Sequence, residues 1–114
     1  MMAPRNKNRA RRKYLATRNQ RLKQTYGING KQWDALFDLQ NGICPICLAP
    51  LRKPLNKAGK RASSVDHDHK SGRVRGLLCH RCNKYRVGNN TLETAQRMVA
   101  YFSSDVDGRT LRHM

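Results

Sequence analysis

The feature that most constrains this chain is a pair of C-x-x-C motifs, Cys44-Pro-Ile-Cys47 and Cys79-His-Arg-Cys82, with residues 48–78 between them. Four soft thiolates in two knuckles suit a closed, tetrahedral Zn²⁺ site, which leaves no position open for substrate. The separation exceeds the usual ribbon spacing of about 15–20 residues, so something is inserted between the knuckles. The chain has 114 residues, one Trp and two Phe, with 38% hydrophobic residues. That is one domain with a modest core, and a metal staple adds folding energy directly. The N-terminus is charged and carries no apolar signal run, and no stretch approaches the roughly 20 apolar residues of a membrane span. The expectation is a reducing, cytoplasmic setting, where paired C-x-x-C motifs are metal ligands rather than disulfides. No βαβ pattern accompanies them, which argues against a thioredoxin-like redox role. His80, between the second pair, is expected to face solvent or DNA, because four cysteines already complete the site.

Charge narrows the partner. Lys and Arg number 24 against 7 acids, a formal net charge of +17. Asp34 is the first acid in the chain, after ten Lys or Arg. Such an excess points to a polyanion, with nucleic acid ahead of an anionic membrane because the basic segment has no broad apolar face. A solvated tail is the alternative reading of the run, and phosphate binding is preferred given the total excess.

Along the chain, Leu15, Leu22 and Tyr26 fall at helical spacing before Gly27, which predicts a helix from about residue 8 to 26 whose basic face, with Arg11, Arg12 and Lys13, lies along a phosphate backbone. A second helix is expected from Asn29, with Gln32 completing a capping box and Trp33, Leu36, Phe37 and Gln40 on one face, up to Asn41-Gly42. Residues 50–64, rich in Pro, Gly, Ser and Lys, read as an exposed loop. Val65 and the run Val74–Leu78 are expected to pair as a hairpin through a turn at Ser71-Gly72. A helical segment from Cys79 to about Val87 follows, closed by Gly88. A last helix is expected to be capped by Asn90 and to present Leu92, Ala95, Val99 and Phe102 on an apolar face. This divides the chain into a basic helical extension (1–25), a zinc-stabilised domain (26–104) and a polar tail (105–114).

With the zinc satisfied, Asp66, His67, Asp68 and His69 remain, and Asn83 directly follows the last cysteine. Alternation along a strand puts the two Asp on one face and the two His on the other, which by itself is also how solvent-facing residues alternate. A carboxylate oxygen and an amide oxygen suit Mg²⁺ or Mn²⁺, and a neighbouring imidazole of near-neutral pKa can take a proton from water. One hard metal and one base on a basic scaffold are the parts of a phosphodiester hydrolase.

The run "VDHDHKSGRVRGLLCHRCNK", together with the upstream "CPIC", the "YGI" entry and the Trp-containing helix, resembles the phage recombination endonuclease VII family over roughly residues 26–90. That family belongs to the HNH, or ββα-metal, nucleases. The resemblance implies an α+β, mainly helical fold: a small zinc-stapled ββα-metal core with flanking N- and C-terminal helices. It implies that Cys44, Cys47, Cys79 and Cys82 bind structural zinc, that Asp66 and Asn83 hold a catalytic Mg²⁺ (or Mn²⁺), and that His67 is the general base. Asp68 and His69 would support the loop or contact phosphate, and Arg73 and Arg75 would contact DNA or stand as solvated strand residues. The implied activity is endonucleolytic hydrolysis of branched DNA such as four-way junctions, leaving 3′-hydroxyl and 5′-phosphate ends. The best-known form of the family continues into a longer C-terminal helical region used for dimerisation. Here only a short segment follows Asn83, and the additional material is N-terminal, so the swapped dimer and strict junction specificity do not carry over automatically.

Three readings follow. The first is a metal-dependent DNA endonuclease, either junction-resolving or a general nicking enzyme such as phage DNA packaging uses. A homodimer is possible in that case, since resolution needs two nicks. The second is a zinc-stabilised DNA-binding module without catalysis. The third is a zinc-folded partner-binding protein whose basic tail anchors RNA, though no aromatic stacking surface singles it out. Asp66, His67 and Asn83 discriminate the first from the others, because a binder does not need them.

Overall fold

A computed structural model of the protein describes residues 7–111. Helix α1 (Lys7–Tyr26) is composed mainly of strong helix formers, and the Gly27 N–H closes its last turn onto the Lys23 carbonyl at 3.0 Å. Helix α2 (Gly30–Leu39) begins with the expected capping box: the Asn29 side chain accepts from the Gln32 N–H, and the Gln32 side chain accepts from the Asn29 N–H. It stops at Asn41 and Gly42, both at positive φ (56° and 65°). A Cβ at residue 42 would sit 2.9 Å from the Phe37 ring, so this stop requires glycine for space as well as for its backbone.

Strands β1 (Ser64–His67) and β2 (Val74–Leu78) form the expected antiparallel hairpin. Ser64, Val65 and Asp66 face Leu78, Leu77 and Gly76, and the register then shifts so that His67 faces Val74. The shift is a β-bulge that leaves Arg75 opposite no residue of β1. The Gln40 side chain joins α2 to this hairpin. Its Nε2 donates to the Leu77 carbonyl, and its Oε1 accepts from the Leu77 N–H, both at 2.8 Å. One amide thus closes the outer edge of β2 much as a third strand would.

The expected helical segment after Cys79 is a π-helical turn, Cys82–Val87, ending at Gly88, whose N–H donates to the Asn83 carbonyl. Helix α3 (Leu92–Phe102) differs from expectation at its start. Thr91, not Asn90, is the cap, its Oγ1 accepting from the Thr94 N–H. Asn90 is already committed backwards, its side chain donating to the Arg86 carbonyl and its N–H to the Val87 carbonyl. The apolar face of α3 is real but covers nothing among the described residues: Leu92, Val99 and Phe102 are all exposed. After α3 comes a 3₁₀ turn, Gly108–Thr110, capped by Asp107. Residues 1–6 of the expected extension and 112–114 of the expected tail lie outside the described residues.

The core is small: Trp33, Leu51, Val65, Leu77 and Leu78 with two of the cysteines, Cys44 and Cys82. Leu22 and Tyr26 of α1 and Phe37 of α2 pack against it. The 50–64 loop is exposed over most of its length but is tied at its base. Ser63 is buried, exchanging bonds with the Arg52 backbone, and Asn56 bonds Lys53 and Lys60 across the loop. The fold is α+β, with a two-stranded sheet held between helices.

Candidate metal centre and basic cleft

The two knuckles meet. Cys44 sits where an isolated bridge, Ile43 with Pro50, turns the chain back, and its N–H donates to the Ala49 carbonyl. Cys79 directly follows β2 and Cys82 opens the π-helical turn. The four Sγ atoms lie within 4.8 Å of one another, and Cys47 and Cys79 are 3.6 Å apart. A tetrahedron of Zn–S bonds about 2.3 Å long has edges of about 3.8 Å, so the cluster has the size of a zinc site. Its ionisation also asks for a cation. Burial raises the Cys44 thiol, but hydrogen bonds from the backbones of Cys47, Cys79 and Ile46 outweigh it and bring the group down to about 6. Burial raises Cys82 to about 12, with the other three thiols adding to the rise and Arg86 opposing it, its Nη1 lying 3.1 Å from Cys82 Sγ. One thiolate forms readily; four in this space need a positive ion among them. The four cysteines can therefore bind a structural zinc.

The Asp-His-Asp-His run is not a second cluster of that kind. Among the described residues the cysteines are the one set of such donors gathered around a point. Asp66 is buried on β1 and held bidentately by Arg75, whose Nε donates to Oδ2 at 2.8 Å and whose Nη2 donates to Oδ1 at 3.0 Å. His67 is half-buried, its ring 5.5 Å from Tyr26 and 5.0 Å from His69. Asp68 builds the hairpin turn. Its Oδ1 accepts from the Lys70 and Ser71 N–H groups, and its N–H donates to the Arg73 carbonyl. Those backbone donors, Ser71 first, hold its carboxyl below the ordinary Asp range. His69 and Arg73 are exposed. Asn83 follows Cys82 in the π-helical turn, its N–H donating to the Cys79 carbonyl, so the second knuckle sets its position.

Asn83 lines a cleft of about 800 Å³ between α1 and the β1 side of the domain. Lys13, Thr17, Arg18 and Arg21 line it from α1, with Arg61, Ser64 and His80 across from them. Tyr26, the neighbour of His67, also lines it. Arg11 and Arg12 are exposed on α1 and do not line it.

His80 departs from the solvent-facing alternative and lines the cleft. It is half-buried, with Nδ1 bonded to Ser64 Oγ, because Ser64 pairs with Leu78 and so stands beside the start of the second knuckle. Burial and then the Arg61 charge push its imidazolium below the ordinary His value. Arg18 is not singled out by the sequence, and Gln40 only as one member of the α2 face. Arg18 lies one helical turn above Leu22 and covers the Trp33 ring at 4.9 Å, and only the packing of α1 on α2 reveals it.

Residues 19–104 match the family model of recombination endonuclease VII. Among curated relatives, the gene 59 proteins of Mycobacterium phage D29 and Mycobacterium phage L5 are 45% and 42% identical over 83 residues, which is 71% of this chain and 47% of each relative. The chain spans about half the length of the curated relatives it matches. No described helix is long and apolar enough to cross a membrane. A match over most of the chain, with its cysteines gathered as a metal site, shows that this chain belongs to the recombination endonuclease VII family.

Proposed function

We propose that the protein is a metal-dependent DNA endonuclease of the HNH, ββα-metal type, acting on branched DNA such as four-way junctions in the cytoplasm of a host cell. The observation that carries this reading is the carboxylate–imidazole step on β1: Asp66 buried and oriented, His67 beside it against Tyr26, on the same small frame as Asn83. Family membership supports the same reading.

In this reading Asp66 and Asn83 hold Mg²⁺ or Mn²⁺. A carboxylate offers about four lone-pair positions and Arg75 takes two, so Asp66 keeps capacity for an ion, and the all-oxygen donor set fits a hard cation. Such an ion supplies stabilisation of charge on the scissile phosphate and the departing 3′ oxygen. His67 accepts the proton of the water that attacks phosphorus, on a ring nitrogen. As the water oxygen bonds to phosphorus the P–O3′ bond breaks, and the departing 3′ oxygen takes a proton from solvent, leaving 3′-hydroxyl and 5′-phosphate ends. Arg75 fixes the orientation of Asp66. A zinc held by Cys79 and Cys82 would anchor the π-helical turn that carries Asn83. The exposed apolar face of α3 supports a homodimer that would bring two active sites to one junction.

The test is nicking of supercoiled plasmid in Mg²⁺ or Mn²⁺, followed by four-way junctions, flaps and linear duplex as substrates. His67→Ala is expected to lower the rate about 10²- to 10⁴-fold with the melting temperature unchanged. A variant that cuts as well as wild type refutes the role of His67. Salt-sensitive DNA binding with no cleavage in any divalent metal would mark the protein as a binding module instead.

A further inference from the structure

The cleft beside Asn83 has a wall that the family match does not reach. Lys13, Thr17 and Arg18 precede residue 19, where the match begins, and with Arg21 they form one face of α1. Lys13, Arg18, Arg21 and Arg61 bring positive charge to the cleft, and among the described residues no carboxylate lines it. A concave surface so one-sided in charge selects an anion. Its hydrogen bonding is also incomplete. Among the described residues, two buried side-chain nitrogens lack a partner of hydrogen-bonding geometry, Arg18 Nη2 and His80 Nε2, and both residues line this cleft. Buried donors left unpaired are costly, and a ligand that accepts from them is one of the few explanations. The Arg18 guanidinium lies over Trp33, and its fork of donors is the geometry that matches phosphate oxygens. Either partner of the Ser64 Oγ–His80 Nδ1 bond can be the donor, and when the Ser64 hydroxyl donates, a neutral ring carries its proton on Nε2.

We propose that this cleft seats the phosphodiester backbone of the DNA strand leading to the scissile bond, with Arg18 as a phosphate-binding residue on one wall and Arg61 and His80 on the other. Helix α1 is then part of the substrate site and not a separate basic tail. The proposal takes its substrate from the endonuclease reading, but its test does not depend on cleavage.

The test measures binding of a fluorescent DNA duplex by anisotropy over a range of salt, using the full chain carrying His67→Ala and no added divalent cation. Removing one cation that neutralises a phosphate lowers the slope of log K against log salt by about 0.9. Arg18→Gln and, separately, Arg61→Gln are expected to lower it by about that amount. Arg109→Gln, in an exposed ion pair with Asp107 outside the cleft, should leave it unchanged. A second arm replaces single phosphates with neutral methylphosphonate. One position is expected to weaken binding when Arg18 is present and to have no further effect in Arg18→Gln. Arg18 rests on the buried Trp33, so Arg61→Gln provides the same readout from a residue without that packing role. Unchanged slopes in both variants, or additive effects at every phosphate, overturn the seat. If the wild type nevertheless nicks DNA, the endonuclease reading survives that failure. Coupling in a protein that never cuts keeps the seat and overturns the endonuclease reading.

Discussion

Replacing Gln40 with alanine removes both hydrogen bonds that join α2 to the outer edge of β2. Leu77 is fully buried, so neither its N–H nor its carbonyl has bulk water to turn to. A satisfied hydrogen bond is worth about 0.5–1.5 kcal/mol net, but a buried group left unpaired costs about 1–3 kcal/mol. Two such groups put the expected loss at about 2–6 kcal/mol, and a water admitted by the smaller side chain would hold it toward the lower figure. Small domains have about 5–15 kcal/mol in all, so the change is large. At about 4–8 °C per kcal/mol for a chain of this size, the melting temperature should fall by about 10 °C or more. Trp33 is the single tryptophan and is buried, so its fluorescence reports unfolding in urea and heat. A second perturbation tests the cause. A Cβ at residue 76 would lie 2.6 Å from Gln40 Oε1, so Gly76→Ala pushes on the same amide. The double variant should cost little more than Gln40→Ala alone, because the obstacle is gone. A loss under about 1 kcal/mol, or strictly additive costs, would refute the clamp.

Four further outcomes are expected. Cys82 stays protonated up to about 12 in the metal-free fold, so zinc uptake at neutral pH must release protons; calorimetric enthalpies that do not vary with the ionisation heat of the buffer would contradict this. In the same metal-free fold the lowered Cys44 contributes stability that is complete above its ordinary value of 9.0 and lost as pH falls through about 6, so chelated protein should become easier to unfold over that interval. The lowered Asp68 carboxyl contributes stability above the ordinary Asp value that is lost as pH falls through its own lower one, so protection of the Lys70 and Ser71 amides, taken relative to their intrinsic exchange rates, should be lost only below the ordinary Asp value, and its loss near pH 5 would count against the turn described. Val99→Glu and Phe102→Glu on α3 should leave the melting temperature unchanged and reduce the mass in solution to that of a monomer, whereas an equal mass before and after would exclude α3 as the dimer face.

What could be read in the sequence was what is decided locally. The α2 capping box needs only Asn29 and Gln32, three residues apart, and the hairpin needs only its apolar run and its turn residues. The knuckles were legible because thiolate spacing is set by the metal more than by the fold. Residues whose partners come from elsewhere in the chain were not legible. Gln40 reads as one more helix-face residue until β2 is laid against it, and Arg18 reads as one charge among many until α1 crosses Trp33. Asn90 and Thr91 are both good caps, and the choice fell to Thr91 because the preceding turn had claimed Asn90. His80 reads as a surface residue because four cysteines leave it no place on the zinc, which says nothing about what β1 places beside it.

The bulge in the hairpin has a consequence for how such a chain tolerates change. Because β2 carries one residue more than its partner at that step, Arg75 is free of the ladder and able to reach across to Asp66. Deleting that single position would straighten the ladder and remove the guanidinium that holds Asp66, while the pairs on either side stayed as they are. Lengthening or trimming the turn itself, from Lys70 to Gly72, would alter none of the pairs from Ser64 to Asp66. Insertions and deletions among related chains should therefore collect at the tip of this hairpin and stop short of Arg75, leaving a strand whose sequence drifts less in length than in letters.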